Sequence, residues 1–88
     1  MKMLIAILKD NHAEPVSQAL TAANFRVTRV ASTSGFLRRG VVTLFLGIED
    51  NQVDDVIEIV RVAAPEAENP QDTRATIFVT PVKKFVQI

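Results

Sequence analysis

The strand-like segments of this chain are apolar on both of their faces. Residues 2–9 read KMLIAILK, and residues 41–48 read VVTLFLGI. Successive side chains of a strand point to opposite faces, and in both segments each alternate set is mainly apolar. A strand with one face in water alternates apolar and polar residues, whereas a strand buried on both faces is apolar throughout. Two helices cover only one face of a small sheet, so we expect other copies of the chain to cover the second.

The length and composition favour a small domain that assembles. The 88 residues predict one domain, residues 1–88. A monomer of this size buries only about 60–65% of its unfolded surface, yet 48% of the residues are hydrophobic. There is no cysteine for a disulfide, a thiolate metal site or a nucleophile. No signal peptide and no bilayer-spanning apolar run is recognisable, so we expect a cytoplasmic protein with no membrane partner.

The charge is zero overall but unevenly distributed. Residues 1–44 carry a net charge of +4 and residues 45–88 a net charge of −4, and four bases fall between positions 26 and 39. These bases are either an ordinary solvated surface or a local anion site. The absence of a basic excess argues against a nucleic-acid partner.

The order of apolar segments predicts two β-α-β units. We expect a helix that is capped by Asn11 and a second helix that is capped by Asp50 or Asn51. A loop follows at residues 64–73, Pro81 ends the last strand, and the tail is expected to return onto the body. The predicted strands are residues 2–9, 25–31, 41–48 and 74–80. This βαββαβ order is that of the ferredoxin-like α+β sandwich, with a four-stranded antiparallel sheet and both helices on one face.

Residues typical of catalytic sites are scarce. His12 is the only histidine and lies at a helix start, where we expect a solvated side chain. Asp54, Asp55 and Glu58 form an acidic helical face, which we interpret as solvated surface and not as a metal site. We therefore expect neither catalytic residues nor a metal ligand nor a cofactor.

The candidate binding residues lie in and after the second strand. Arg26 and Thr28 are two apart, so they share a face and together could hold an anion or a base edge. Phe36 and Leu37 form an apolar pair between glycines, followed by Arg38. We expect this pair either to stack on a nucleobase, with Arg38 near a phosphate, or to pack the loop against a neighbouring subunit.

Gly47 interrupts a strand-like segment. It marks either a bulge, the commoner case, or a place where something approaches the backbone closely.

These residues resemble a known family. The run ANFRVTRVASTSGFLRRG at residues 23–40, the start MKMLIAILKD and the segment ATIFVTPV at residues 75–82 are similar to the cyclic di-AMP receptor branch of the PII-like signalling proteins. Phe85 and Gln87 also fit, and the similarity extends over nearly the whole chain except residues 64–73.

The resemblance implies a receptor and not an enzyme. It implies a ferredoxin-like homotrimer that binds cyclic di-AMP in three clefts between subunits and signals to an unidentified downstream protein. In that pattern Phe36 and Leu37 pack on an adenine, and Arg26 and Thr28 serve the phosphate or the base edge. The implied ligand contacts are Asn24, Arg26, Thr28, Phe36, Leu37, Arg38, Gly47, Phe78 and Gln87.

The chain departs from the family pattern at three places. Ser34 replaces a usual glycine, Val41 replaces a usual asparagine, and the stretch at residues 64–73 is shorter than the usual loop. Three alternatives therefore stay open beside the cyclic di-AMP receptor. They are a PII-type sensor of ATP or ADP, a trimeric regulator or scaffold with a different ligand or none, and a small enzyme on the same scaffold, which ranks last.

Overall fold

The chain forms a βαββαβ sandwich. The structure is a computed structural model that describes residues 1–31, 40–65 and 73–88. A short 3-10 turn, Asp50–Gln52, precedes the second helix. The elements are β1 (Lys2–Lys9), α1 (Asp10–Ala22), β2 (Thr28–Ala31), β3 (Val41–Ile48), α2 (Val53–Ala63) and β4 (Ala75–Pro81).

The four strands form one antiparallel sheet in the order β2-β3-β1-β4. The central strands pair along their whole length, from Lys2 opposite Ile48 to Lys9 opposite Val41. β4 pairs with the other side of β1, and β2 pairs with the other side of β3. The predicted ferredoxin-like α+β fold is confirmed.

One face of the sheet and the inner sides of both helices make the core. From Leu4 on β1 and from Val42 on β3, every second residue is buried. Val16 and Leu20 of α1 and Val56 of α2 pack in the same cluster. Alternation in the strands and 3.6-residue spacing in the helices bring these residues to one layer.

The opposite face of the sheet, here called the open face, is not covered by the helices. Most of its apolar residues on the central strands are only half-buried, Gly47 is exposed, and Phe78 on β4 is 54% exposed. Threonines surround its apolar middle, where Thr43 is buried among its neighbours. The open face consists of Met3, Ile5, Ile7, Thr28, Val30, Val41, Thr43, Phe45, Gly47, Thr76, Phe78 and Thr80.

Several element ends differ from the predictions. β2 begins at Thr28 and not at residue 25, because Phe25 is held by the end of α1, where its N–H donates to Leu20 O at 3.0 Å. β4 runs through Pro81, which pairs opposite Lys2 on an edge strand where proline is tolerated. The prediction that Pro81 lies beyond the strand was therefore wrong.

The helix starts also differ. α1 begins at Asp10 with Lys9 as its N-cap, so the predicted cap Asn11 was wrong by two positions. Ahead of α2, Glu49 and Gln52 form a reciprocal capping box around the 3-10 turn, in place of a cap by Asp50 or Asn51. The two loops predicted at residues 32–40 and 64–73 lie largely outside the described residues.

The tail does not return onto the body of its own protomer. Val82 donates its N–H to Met1 O at 3.1 Å, which prolongs the alignment of β4 beside β1 by one residue. Beyond it Phe85 is 60% exposed and Val86 is 63% exposed, and Ile88 is fully exposed. The predicted packing of this apolar tail on the same subunit was therefore wrong.

A polar clamp ties α1 to β2. Arg29 Nη1 donates to Glu14 Oε2 at 2.7 Å, and Gln18 Nε2 donates to Glu14 Oε1 at 3.0 Å. These two hydrogen bonds, that from Arg29 first, lower the pKa of the Glu14 carboxyl below its ordinary value. Arg29 points toward the helices, opposite in direction to Thr28, so the clamp leaves the open face untouched.

The clamp predicts a pH-dependent contribution to stability. Because the pKa of Glu14 is lowered by folding, the stabilisation is present above the ordinary value of about 4.3 and is lost as the pH falls through the lowered value. We expect Glu14→Gln to unfold at a lower urea concentration than the wild type at neutral pH, with the difference shrinking on acidification. Glu58→Gln, which removes a pair with Arg61 inside one helix, is the control. An equal deficit of Glu14→Gln at all pH values would contradict the assignment.

Candidate ligand-binding site

One row of side chains crosses the open face from edge to edge. The strand register aligns Thr28 with Phe45, Phe45 with Ile5, and Ile5 with Phe78. Thr28 is exposed at the β2 edge, and Phe78 is exposed at the β4 edge. The row therefore offers a hydroxyl at one edge and an aromatic ring at the other, joined by an apolar floor.

Gly47 lies in a second row, beside Met3 and Thr80. The β1–β3 register runs through Gly47 without an inserted residue, so the expectation of a bulge was wrong. A Cβ built at this position meets no atom of the described residues within 4 Å. The backbone is thus bare on the open face and accessible to another molecule.

Asn24 and Arg26 lie in the connection between α1 and β2. Asn24 adopts a left-handed conformation with φ of 70° and donates its N–H to Thr21 O at 3.0 Å, which ends the helix. Phe25 and Val27 pack against the core, so the exposed Arg26 between them points away from it. Arg26 and Thr28 are exposed, whereas Val27 between them is half-buried. This alternation is what a shared face of Arg26 and Thr28 requires, although Arg26 precedes β2.

The predicted contact residues that the structure describes do not all meet within one protomer. Thr28 and Phe78 belong to opposite edge strands, three strand spacings or about 14 Å apart. Gln87 is exposed in the tail beyond β4. Phe36, Leu37 and Arg38 lie outside the described residues, so their predicted roles stay predictions.

Sequence reasoning missed three neighbours of the candidate residues. Phe45 separates Thr28 from Ile5, and Met3 and Thr80 flank Gly47 in the direction of β4. Their identity depends on the pairing register, which alternation along a single strand does not specify. The segments at residues 2–9 and 41–48 have the same length, and pairing them end to end would have given the observed register.

The other polar candidates show different surroundings. His12 is half-buried, and its Nδ1 is shielded from water without a hydrogen-bond partner among the described residues, so the expectation of a solvated side chain was wrong. Asp54, Asp55 and Glu58 are exposed. In the described parts of the chain, no three His, Cys, Asp or Glu residues are grouped to hold a metal ion. No helix there is long and apolar enough to cross a membrane.

A solved structure resembles this chain along almost its entire length. A functionally unknown protein from Pediococcus pentosaceus ATCC 25745 is 34% identical and superposes with a TM-score of 0.77. The match covers 99% of this chain and 96% of that protein.

A family comparison supplies the functional class. The family described as cyclic-di-AMP receptor matches residues 1–69, a range that begins with β1 and continues past the end of α2. It includes Asn24, Arg26, Thr28 and Gly47, whose positions the structure describes. The chain therefore belongs to the cyclic-di-AMP receptor family.

Proposed function

We propose that the protein is a non-enzymatic signalling receptor that binds cyclic di-AMP in clefts between the subunits of a homotrimer. The family match over residues 1–69 carries the choice of ligand. The separation of the candidate residues on opposite edges of the sheet supports a site between subunits.

The geometry favours a cleft that two protomers share. Thr28 and Arg26 lie at the β2 edge, whereas Phe78 lies at the β4 edge and Gln87 follows it in the tail. When the β2 edge of one protomer meets the β4 edge of the next, both groups face the same cleft. Such a head-to-tail contact uses two different surfaces and closes into a ring, for which the family resemblance implies three members.

The open face supplies the reason for assembly. Ile5, Ile7 and Phe45 form an apolar surface that the helices do not cover, and Phe78 extends it to the edge. Contiguous exposed apolar surface on a small protein is typical of an interaction site. The exposed tail, with Phe85 and Val86, adds apolar surface that a neighbouring subunit would bury.

The residues of the cleft suit a cyclic dinucleotide. Arg26 offers a charge-assisted hydrogen bond to a phosphate, and Thr28 offers a hydroxyl to a phosphate or base edge. Phe78 offers a face for stacking on adenine. Gly47 leaves room for the ligand to lie against the sheet, since a Cβ built there meets none of the residues at positions 1–31, 40–65 and 73–88 within 4 Å.

The assembly is tested by sedimentation. We expect a particle of about three times the 9.7 kDa chain mass, and we expect Phe45→Asp to sediment as a monomer because it places a charge in the apolar interface. Val62→Asp changes a residue of α2 that is 75% exposed, and should leave the trimer intact. A folded wild-type monomer at micromolar concentration would rule out the shared clefts.

The shared site is tested by mixing two variants. By calorimetry, Arg26→Ala and Phe78→Ala should each weaken cyclic di-AMP binding by about tenfold or more, whereas Arg29→Ala should not. Co-refolding the first two variants in equal amounts should restore about a quarter of the wild-type sites, because each mixed trimer then has one intact cleft. If mixing restores no binding, the two residues do not belong to different subunits of one site.

The same calorimetry decides between ligands. If the wild type binds ATP or ADP and not cyclic di-AMP, the PII-type sensor replaces the present proposal.

Gly47→Val provides a separate test of the cleft. The added side chain meets open space in the protomer and suits a strand, so we expect unchanged or higher stability to urea. In the cleft it would occupy the space of the ligand, so cyclic di-AMP affinity should fall by about tenfold or more. Thr80→Val in the same row is the control for a change of surface polarity. Full affinity of Gly47→Val would exclude Gly47 from the site.

A further inference from the structure

A groove of about 690 Å³ lies between α1 and α2, on the side of the helical layer that is exposed to solvent, and we call it the helical groove. The described residues that line it belong to α1, to α2 and to the connection between α1 and β2. Both helices turn their buried residues, such as Leu20 and Val56, toward the sheet. The helical groove therefore lies on the opposite side of the protomer from the open face, and a trimer that assembles through the open face leaves it accessible.

The lining of the helical groove is largely apolar. Ala19 of α1, Ala23 just after it and Phe25 contribute one side, and Ile59 and Val62 of α2 contribute the other. Val62 is 75% exposed, and Ile59 and Phe25 are only half-buried. A contiguous exposed surface of branched and aromatic side chains is typical of an interaction site.

The shape of the helical groove suits a helix. Ala19 and Ala23 are four residues apart, and Ile59 and Ala63 have the same spacing, so each pair lies along one face of its helix. α1 and α2 pack against each other, and a third helix along the seam between them would continue this packing of ridges into grooves. The alanines allow its backbone to come close. The partner would supply large apolar side chains at the i, i+3, i+4 and i+7 positions.

α2 also brings negative charge to the helical groove. Asp55 and Glu58 line it, and both are exposed. No residue at positions 1–31, 40–65 or 73–88 forms an ion pair with Asp55. Glu58 pairs only with Arg61 of its own helix, at 3.2 Å, in the same ranges. Charge complementarity therefore favours a partner that carries lysine or arginine beside its apolar residues.

We propose that the helical groove docks a basic amphipathic helix of another protein. The apolar side chains of that helix pack between α1 and α2, and its lysines or arginines lie beside Asp55 and Glu58. Arg26, Thr28 and Phe78 do not line the groove, so docking does not depend on which ligand the shared cleft binds.

The test is an NMR titration of the labelled full-length protein with a peptide of leucine and lysine. The peptide has about 14 residues, or four turns, and its leucines recur at helical spacing. One control peptide has glutamate in place of lysine, and another has the same composition in an order without the apolar stripe. We expect saturable shifts centred on the amides of Phe25, Ile59 and Val62, and binding at least tenfold weaker for each control peptide. Equal binding of the three peptides, or no saturable shift, would overturn the proposal.

Matched variants place the peptide in the helical groove. Asp55→Lys should weaken binding of the leucine–lysine peptide by about tenfold. Asp54→Lys makes the same charge change in the same first turn of α2, but Asp54 does not line the groove, so most of the affinity should remain. Val62→Ser removes apolar surface from an exposed position and should weaken binding without changing unfolding in urea. Equal losses in the two aspartate variants, or full affinity of Val62→Ser, would contradict docking at this place.

A peptide of residues 82–88 tests the other occupant, a second copy of the chain. Lys83 and Lys84 precede the exposed Phe85 in this tail, so it also combines positive charge with apolar surface. We expect it to bind at least tenfold more weakly than the helical peptide, because an isolated helix takes about 12–15 residues to form. If the tail peptide shifts the same amides with equal or higher affinity, the helical groove is an interface between copies and the proposed partner is wrong.

Docking and ligand binding fail separately. Val62→Ser should leave cyclic di-AMP binding unchanged, and Arg26→Ala should leave peptide binding unchanged. A wild type that docks the leucine–lysine peptide but binds no cyclic dinucleotide would keep the docking site and remove the receptor function.

Discussion

The structure depends on a helical layer that covers only one of two apolar sheet faces. Leu4 and Leu44 are buried beneath α1 and α2. Their neighbours in sequence, Ile5 and Phe45, lie on the open face. Because side chains alternate along a strand, this division follows directly from two unbroken apolar segments. Among the described residues no further helix or strand lies on the second face, so its apolar residues are available for contact with another molecule.

Strand order then decides where a ligand is able to bind. In the order β2-β3-β1-β4, the strands that carry Thr28 and Phe78 are the two edges. Residues separated by the full width of a sheet contribute to one small-molecule site only when another molecule brings the edges together. In the proposed receptor, the ferredoxin-like topology therefore makes the ligand site depend on assembly, because no cleft that contains both Thr28 and Phe78 exists without a second subunit.

Hydrophobic periodicity predicted both ends of each central strand correctly, because β1 and β3 are long, continuous and paired with a neighbour on either side. It failed where local contacts compete with strand geometry. Phe25 is bonded to the end of α1, which delays β2 until Thr28, and Glu49 with Gln52 caps a 3-10 turn that hydrophobic spacing does not reveal. The row that joins Thr28 to Phe78 and the neighbours of Gly47 are properties of register, and register is visible only once the strands are aligned.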